Sequence, residues 1–330
     1  MRNLRKRLVL ATTMLLAVNA SLAGTPLSTE SLEAAASRAP LTLEEESRVQ
    51  FWTLAGKPDV RSSSVVIFDE KDESVLYSRD ANRVRPIASI TKLMTALVVR
   101  DAEQSLDEVI KITLDDRDTE RGTTSRLLVG TKLTRDELLR LALMSSENRA
   151  AHALGRSYPG GLPEFVRAMN KKAKALGMKS SRFTEPTGLS SGNVASATDL
   201  IKLVRAASDD PLIREYSTLP SHIVEVGPDL LEYKNSNTLV TKDDWHIALQ
   251  KTGFTSDAGR CLVMTAFVQE RPIVMILLNS VGKYTRIADA RRVRNWMEAS
   301  IASERLASSP QPSLTPAVMK EAGNTKAVAH

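Results

Sequence analysis

The sequence predicts an α+β fold in which one antiparallel sheet is built from both ends of the chain and a helical subdomain is inserted between them. The prediction rests on the order of the elements. Two short strand patterns at residues 64–68 and 74–78 come first, and helical periodicity then runs through the middle of the chain. Three strand patterns, ALQKTGF, CLVMTAFV and PIVMILLNS, and a closing helix at about 286–302 come last.

The beginning of the chain has the three-part pattern of a secretory signal peptide. Residues 1–23 carry basic side chains first, then an apolar run at 8–18, then small residues at Ser21 and Ala23. The apolar run is shorter than the roughly 20 residues that span a bilayer. We therefore expect export to the periplasm, cleavage of the signal and no stable membrane anchor afterwards.

Three further segments are expected after the signal peptide. Residues 24–60 form an N-terminal segment with one helix at 43–54. Residues 61–302 form the main domain, which contains the predicted sheet and helices. Residues 303–330 contain prolines and serines but few apolar side chains, and this composition predicts a disordered tail.

Composition excludes several classes of function. The chain has 45 basic and 39 acidic side chains, and four of the basic ones lie in residues 1–23, so the mature net charge is 41 − 39 = +2. No basic run interleaved with aromatic residues remains to bind nucleic acid. Cys261 is the only cysteine, which rules out an intramolecular disulfide. The histidines at positions 152, 222, 246 and 330 are scattered and H-E-x-x-H is absent, so neither a metal nor a cofactor is expected.

The helical subdomain is predicted from four periodic segments. The first begins at Ser89 and carries a continuous apolar stripe. The second follows a capping box formed by Thr134 and Glu137. The third covers residues 162–176 and stops at Gly177, and the fourth, a shorter helix, covers residues 198–207.

A serine and a lysine at the start of the first helix indicate nucleophilic catalysis. An alcohol is a weak nucleophile unless a base removes its proton, and a lysine is such a base only when uncharged. The i, i+3 spacing places Ser89 and Lys92 on one face of the helix, and burial or a second cation would lower the pKa of the lysine. A rival pair, Ser280 and Lys283, follows a strand pattern, and Gly282 interrupts any helix there. The alternative for either pair is a helical serine beside a solvated lysine.

Two further motifs follow in an order that fits the same chemistry. Ser146-Glu147-Asn148 lies between two helical segments, where a loop can direct a hydroxyl and an amide into a cleft. Its rival, Ser191-Gly192-Asn193, lies in a loop that no apolar helix precedes. Lys251-Thr252-Gly253 lies on a predicted strand, where the lysine and the hydroxyl can hold a substrate carboxylate and the glycine lets the substrate lie close.

In this order, the motifs S-x-x-K, S-x-N and K-T-G resemble those of penicillin-binding proteins and class A β-lactamases. Four longer phrases are similar to the low-molecular-weight D-alanyl-D-alanine peptidases, most closely to the endopeptidases among them. These phrases are PIASITKLMTALVV, LALMSSENRAA, EPTGLSSGNVASATDL and ALQKTGFTSDAGRCLVM, and the similarity covers roughly residues 60–300. The resemblance implies a β-lactamase/transpeptidase-like fold.

The resemblance also implies catalytic roles for the first two motifs. Ser89 is expected to be the acylated nucleophile and Lys92 its general base. Ser146 is expected to pass the proton to the leaving amine. Many relatives have glycine or aspartate where this chain has Glu147, so the role of Glu147 is left open.

The substrate-binding roles follow from the same resemblance. Asn148 is expected to hold the amide of the acyl donor. Lys251 and Thr252 are expected to hold the carboxylate beside the scissile bond, with Gly253 at the strand edge. The backbone N–H groups of Phe254 and of the nucleophilic serine are expected to form the oxyanion hole.

Peptidoglycan is the substrate, and β-lactams the covalent inhibitors, that this resemblance implies. Peptidoglycan stems are joined by a bond from D-alanine to the D-centre of a diamino acid, and that centre keeps a carboxylate, as a terminal D-alanine does. About 50 residues separate Lys251 from the tail, too few for the β-rich C-terminal domain of carboxypeptidase relatives, and no amphipathic C-terminal anchor is present. The sequence therefore favours an endopeptidase that cleaves cross-links over a carboxypeptidase that trims pentapeptide stems.

Other functions compete with this interpretation. A β-lactamase needs a glutamate to activate the deacylating water, and Glu185 is the nearest candidate, but the family's asparagine is absent four residues later, at Leu189. Residues 188–192 match the G-x-S-x-G elbow around Ser190, although that elbow needs a buried strand before it and SRFTEPT is polar. A peptidoglycan-binding protein with an inactive site is the non-enzymatic alternative.

Overall fold

A five-stranded antiparallel sheet organises the structure, a computed structural model that describes residues 56–308. The strand order is β2-β1-β11-β10-β9. These strands are β1 (Ser64–Asp69), β2 (Ser74–Arg79), β9 (His246–Thr255), β10 (Gly259–Val268) and β11 (Arg271–Ser280). Two of them precede the helices and three follow, so the predicted α+β class and order of elements are confirmed. The predicted signal peptide, the predicted helix at 43–54 and residues 309–330 lie outside the described residues.

Strand β1 joins the two halves of the sheet because it pairs with β11 on one side and with β2 on the other. Every residue of β1 is buried, and β10 and β11 each contain long buried runs. Strands covered on both faces have such continuous apolar sequences. Residues 269–271 separate the CLVMTAFV and PIVMILLNS patterns, which predicts a three-residue turn. The turn is shorter, since Gln269 and Glu270 form it at positive φ and β11 begins at the next residue.

Seven α-helices lie within residues 56–308. They are α1 (Thr91–Asp101), α2 (Arg135–Met144), α3 (Asn148–Arg156), α4 (Gly161–Ala175), α5 (Ala197–Asp209), α6 (Pro211–Thr218) and α7 (Thr285–Ser308). The capping box before α2 is present: Glu137 N–H donates to Thr134 Oγ1 at 3.1 Å, and Thr134 N–H donates to Glu137 Oε2 at 2.8 Å. In this part of the chain no helix is long and apolar enough to cross a membrane.

Helix α1 runs through the middle of the helical region, and every residue from Thr91 to Val99 is buried. It contacts α3, α4 and α5. The 3₁₀ turn Ala88–Ile90 immediately before it contacts β9, the edge strand of the sheet. The beginning of α1 therefore lies where the helical region meets the sheet.

The closing helix α7 packs against β10 and β11. The helical spacing predicts that Val293, Trp296, Met297 and Ile301 face inward, and all of these except Trp296 are buried. Trp296 is only half-buried, and its indole N–H donates to the Gly56 carbonyl oxygen at 3.2 Å. The helix ends at Ser308, six residues beyond its predicted end at 302, so the prediction of a disordered tail is wrong for residues 303–308.

Three two-stranded ribbons complete the described structure. They pair β3 (Arg85–Pro86) with β6 (Val194–Ala195), β4 (Val109–Lys111) with β5 (Lys132–Thr134), and β7 (Ser221–Val226) with β8 (Asp229–Lys234). Between the predicted helix at 198–207 and the ALQKTGF strand, the polar sequence predicts an irregular region, and this prediction is wrong because α6, β7 and β8 lie there. Helix α6 has a recognisable start, because Pro211 is its first residue and the Asp210 carboxylate accepts the N–H groups of Leu212 and Ile213.

Candidate active site

Ser89 lies in the 3₁₀ turn Ala88–Ile90, two residues before the first residue of α1. The sequence predicts that Ser89 begins the α-helix itself. The structure differs because Ala88 has a left-handed backbone (φ +49°), a conformation that an α-helix excludes. The Thr91 hydroxyl fixes the turn by donating to the Ala88 carbonyl oxygen at 2.8 Å. Ser89 is thus held at a strained junction, as residues at functional sites often are.

Lys92 is wholly buried, and its amine lies close to three oxygen atoms. Nζ is 3.0 Å from Ser89 Oγ, 2.7 Å from Asn148 Oδ1 and 2.7 Å from the carbonyl oxygen of Thr187. The distance to Ser89 Oγ is within the range for direct proton transfer between a hydroxyl and a base. The first and second predicted motifs therefore meet in one site through this amine.

Burial lowers the pKa of Lys92 from 10.5 to about 8, although the charges of Glu185 and Glu147 oppose the shift. Burial also lowers the pKa of Lys251 well below 10.5, and the positive charges of Lys92 and Arg286 lower it further. A charge on either lysine is costly because neither side chain is exposed to water. With a pKa of about 8, roughly a tenth of the Lys92 amine is uncharged at pH 7, and this form can accept the proton of the Ser89 hydroxyl.

The second motif forms the turn between α2 and α3. Ser146 has a left-handed backbone (φ +65°) and is half-buried. Glu147 is the N-cap of α3: its Oε1 accepts the N–H of Arg149 at 3.0 Å and the hydroxyl of Ser125 at 2.7 Å. The cap fixes the first residue of α3, Asn148, whose Oδ1 accepts from the buried amine described above. The structure thus gives Glu147 a positioning role that the sequence leaves open.

The third motif lies on the edge strand β9, as predicted. Lys251 and Thr252 are buried, and Lys251 Nζ donates to the Thr252 carbonyl oxygen at 3.0 Å. Thr252 Oγ1 lies 2.7 Å from Ser236 Oγ. A buried amine beside a buried hydroxyl can bind a carboxylate, and a bound carboxylate would raise the lysine pKa again.

Gly253 brings the third motif against the first. A side chain at this position would lie 3.0 Å from the Ile87 carbonyl oxygen and 3.2 Å from the Ser89 nitrogen. A larger residue would push β9 and the 3₁₀ turn apart by a few tenths of an ångström, so glycine suits this close approach. Phe254 follows, half-exposed, with the Arg260 guanidinium 4.2 Å from the centre of its ring. The backbone N–H groups of Ser89 and Phe254 therefore belong to adjoining segments.

A loop at residues 184–193 closes the site behind Lys92. The Glu185 carboxylate accepts the N–H groups of Thr187 and Gly188, each at 2.6 Å. Thr95 Oγ1 donates to the Pro186 carbonyl oxygen at 2.6 Å, which attaches the loop to α1. The loop thus places a carbonyl oxygen against the buried amine.

Replacing Gly188 with alanine is expected to destabilise the protein by about 3 kcal/mol. Gly188 has φ +85°, and a methyl group there would overlap the Ala88 carbonyl oxygen in the turn that carries Ser89. Gly227→Ala is the matched control, because Gly227 has φ +65° but no atom within 4 Å of the added methyl group. The control should lose only about 1 kcal/mol. Urea unfolding measures both values, and equal losses would contradict the close packing of Gly188 on this turn.

The rival residues proposed from the sequence have structural contacts of other kinds. Ser280 Oγ contacts Ser62 Oγ at 2.6 Å, whereas Lys283 is exposed and stacks on Tyr284, so they do not form a nucleophile–base pair. Asn193 is buried and closes its own loop, where its Oδ1 accepts the N–H of Thr184 at 2.7 Å.

The loop at residues 184–193 does not suit either alternative reaction, the β-lactamase reaction with Glu185 as base or catalysis by Ser190 on a nucleophile elbow. The Glu185 oxygens are occupied by the turn that they close, which does not suit a base that activates water. Residues 184–188 form bends and Leu189 is irregular, so Ser190 does not follow the strand that a nucleophile elbow requires.

Two residues that contact the site, Arg121 and Thr123, lie outside the three motifs and are not predicted from the sequence. Thr123 Oγ1 accepts from Asn148 Nδ2 at 3.2 Å. Arg121 Nε donates to the Leu189 carbonyl oxygen at 2.5 Å, and its Nη1 donates to Ser256 Oγ at 3.0 Å. The loop that carries Arg121 and Thr123 therefore contacts the second motif, the loop behind Lys92 and the end of β9. These contacts join residues that are far apart in the sequence.

The arrangement contains the parts of an acyl-transfer site, and the chain is similar to known peptidases. A family model described as D-alanyl-D-alanine carboxypeptidase matches residues 52–282. The D-alanyl-D-alanine endopeptidases of Pseudomonas aeruginosa and Escherichia coli are 48% and 46% identical to this chain, each over 74% of the chain and 80% of the relative.

The solved structures show the same fold. A penicillin-binding protein from Listeria monocytogenes in its cefotaxime-bound form superposes with a TM-score of 0.65 at 27% identity, over 74% of this chain and 99% of that one. The expected penicillin-binding-protein fold is therefore confirmed. This chain belongs to the D-alanyl-D-alanine carboxypeptidase family of serine peptidases.

Proposed function

We propose that this protein is a serine D,D-endopeptidase that cleaves the D-alanyl–diamino-acid cross-links of peptidoglycan through an acyl-enzyme on Ser89. The observation that carries the proposal is the buried Lys92 amine, 3.0 Å from Ser89 Oγ and 2.7 Å from Asn148 Oδ1. Neither a binding protein nor a metal hydrolase needs a buried amine beside a serine hydroxyl. A peptidase that activates serine with lysine does.

In the acylation step, the uncharged Lys92 amine accepts the proton of the Ser89 hydroxyl as Oγ attacks the D-alanine carbonyl carbon. The developing oxyanion is held by the backbone N–H groups of Ser89 and Phe254. The carbonyl carbon then loses the amine of the diamino acid, which takes up the proton through the Ser146 hydroxyl. Water subsequently attacks the ester, restores the serine hydroxyl and releases the new D-alanine carboxylate.

Substrate positioning falls to the remaining motif residues. The Asn148 side chain holds the amide of the acyl donor. Lys251 and Thr252 hold the carboxylate that follows the scissile bond, and the low pKa of Lys251 rises when that carboxylate binds. Gly253 lets the substrate backbone lie along the edge strand.

Cleavage of cross-links is preferred to trimming of pentapeptide stems because the two endopeptidase relatives share almost half of their residues with this chain over most of its length. Removal of terminal D-alanine, the activity in the family's name, is the second candidate. The same acyl-enzyme chemistry supports covalent inhibition by β-lactams, as the cefotaxime-bound relative illustrates. The N-terminal sequence pattern supports action in the periplasm after signal cleavage.

Separate digestion of two substrates tests this proposal. Purified cross-linked muropeptide dimers and pentapeptide monomers are each incubated with the mature protein, and the products are separated by chromatography. We expect conversion of dimers to monomers to be the faster reaction. Release of D-alanine from pentapeptides with the dimers left intact would instead identify a carboxypeptidase.

A further inference from the structure

A cavity of about 650 Å³ adjoins the Ser146 turn and takes no part in the chemistry described above. The residues on both sides of Ser146 line this cavity, together with Arg126 and the last two residues of β8, Tyr233 and Lys234. The cavity therefore lies between the second motif and the ribbon that the sequence does not predict.

A short segment links the cavity wall to Thr252, one of the residues proposed to hold the substrate carboxylate. Ser236, two residues beyond the end of β8, contacts Thr252 Oγ1 at 2.7 Å. Its backbone N–H donates to the carbonyl oxygen of Met144, at the end of α2, at 3.0 Å. The segments that frame the cavity thus also support Thr252. In the proposed reaction the carboxylate at Thr252 belongs to the leaving diamino acid, so the rest of the leaving stem has to extend past this point.

Arg126 is an exposed cation on the cavity wall, and it forms no salt bridge with an acidic side chain among residues 56–308. Its guanidinium lies 4.1 Å from the centre of the Tyr233 ring and donates to the Glu232 carbonyl oxygen at 2.8 Å. The acids nearby have other partners: the Glu147 carboxylate caps α3, and the Glu232 carboxylate lies 3.5 Å from Lys234 Nζ. A planar guanidinium has further N–H donors, and their geometry matches a carboxylate.

Tyr233, which also lines the cavity, has a hydroxyl group that forms no hydrogen bond within the described residues. This hydroxyl is buried as well. Burial and the charge of Glu147 raise the pKa of Tyr233 to about 12, so the hydroxyl stays protonated and can donate. Buried polar groups are normally satisfied, which makes an unpaired donor beside a cavity a candidate ligand contact.

We propose that this cavity binds the leaving stem of the cross-link, and that Arg126 pairs with a carboxylate of that stem beyond the diamino-acid side chain. This inference rests on the proposed endopeptidase function. A terminal D-alanine ends at the carboxylate held by Thr252 and has no atoms that could enter the cavity. The contact with Arg126 therefore contributes to binding of cross-linked peptides only.

Kinetics with paired substrates test the proposal. The substrates are cross-linked dimers whose acceptor stem ends at the diamino acid, prepared with the L-centre carboxylate either free or converted to a carboxamide. The enzymes are wild type, Arg126→Gln, Arg126→Lys and the control Arg167→Gln, which removes an exposed arginine paired with Glu164 on α4. The acylation rate with benzylpenicillin reports whether each variant keeps an intact site.

For wild type, we expect the carboxamide to raise KM about tenfold, the size of one lost charge-assisted hydrogen bond. Arg126→Gln should raise KM for the carboxylate dimer by the same factor and leave kcat and the penicillin acylation rate unchanged. In this variant, KM should be the same for the carboxylate and carboxamide dimers. Arg126→Lys should recover part of the loss, and Arg167→Gln should behave as wild type.

Two outcomes overturn this inference and can be told apart. If wild type cleaves dimers and Arg126→Gln cleaves them equally well, or still responds to the carboxamide, Arg126 does not bind the leaving stem. If wild type reacts with penicillin but leaves every dimer intact, the endopeptidase proposal itself fails, and the leaving-stem site fails with it.

Discussion

Ser89→Ala is expected to abolish covalent labelling by a fluorescent penicillin and to lower cleavage of cross-linked dimers by at least about 10⁴-fold. The alanine variant has no oxygen to form the ester, while the buried amine and the carboxylate-binding residues stay in place. Labelled protein is quantified after denaturing electrophoresis, and dimer cleavage is followed by chromatography.

Ser190→Ala is the matched control for this variant. Ser190 is the serine of the G-x-S-x-G pattern, and its hydroxyl accepts the Gly192 N–H at 3.2 Å within its own loop. We expect this variant to label and cleave as wild type does. Loss of labelling in Ser190→Ala with retention in Ser89→Ala would transfer the nucleophile to the loop and refute the proposed mechanism.

Lys92→Met is expected to lower the rate of penicillin acylation by about 10³-fold, the usual scale for loss of a general base. Methionine fills a similar buried volume but has no group that accepts the Ser89 proton. The ester-forming oxygen is still present, so slow labelling should persist at long incubation times. A stopped-flow or quench measurement of acylation gives the rate, and a wild-type rate in this variant would rule out Lys92 as the base.

The same lysine sets the pH dependence of acylation. Because the lowered pKa of Lys92 is about 8, the uncharged fraction rises as pH increases through this value. The wild-type acylation rate should therefore increase about tenfold per pH unit below 8 and level off above it. Lys92→Met should lack this rise, and a wild-type rate that falls between pH 6 and 8 would have the wrong sign for an amine base.

The sheet could be predicted because its strands have simple patterns. Residues 64–69 and the strands after residue 246 are continuous or alternating apolar runs bounded by turns, and burial on the sheet selects such sequences. The ribbon of β7 and β8 carries a weaker pattern, because its only buried residues are Val224, Val226 and Tyr233. Its exposed residues include the apolar Ile223 and Leu230. When apolar residues lie on the exposed face of a strand, the apolar–polar alternation is lost, and periodicity cannot distinguish such a strand from a loop.

The catalytic motifs were predictable because their spacing is local, and the contacts between them were not. A helical interval explains why Ser89 and Lys92 meet, yet the left-handed Ala88 that displaces Ser89 from the helix has no sequence signature. The Glu147 carboxylate that caps α3 also accepts the hydroxyl of a loop serine 22 residues earlier, a contact that has no local sequence pattern. Arg121 joins segments separated by more than 60 residues, which only the folded chain brings together.

The most direct test of the central claim is to locate the β-lactam adduct by mass spectrometry of the digested protein. Wild-type protein is incubated with benzylpenicillin, digested with a protease, and the modified peptide is sequenced by fragmentation. The buried amine 3.0 Å from Ser89 Oγ predicts one added penicilloyl group on Ser89. An adduct on Ser190 or Ser146, or a protein that cleaves dimers without ever becoming modified, would contradict the account.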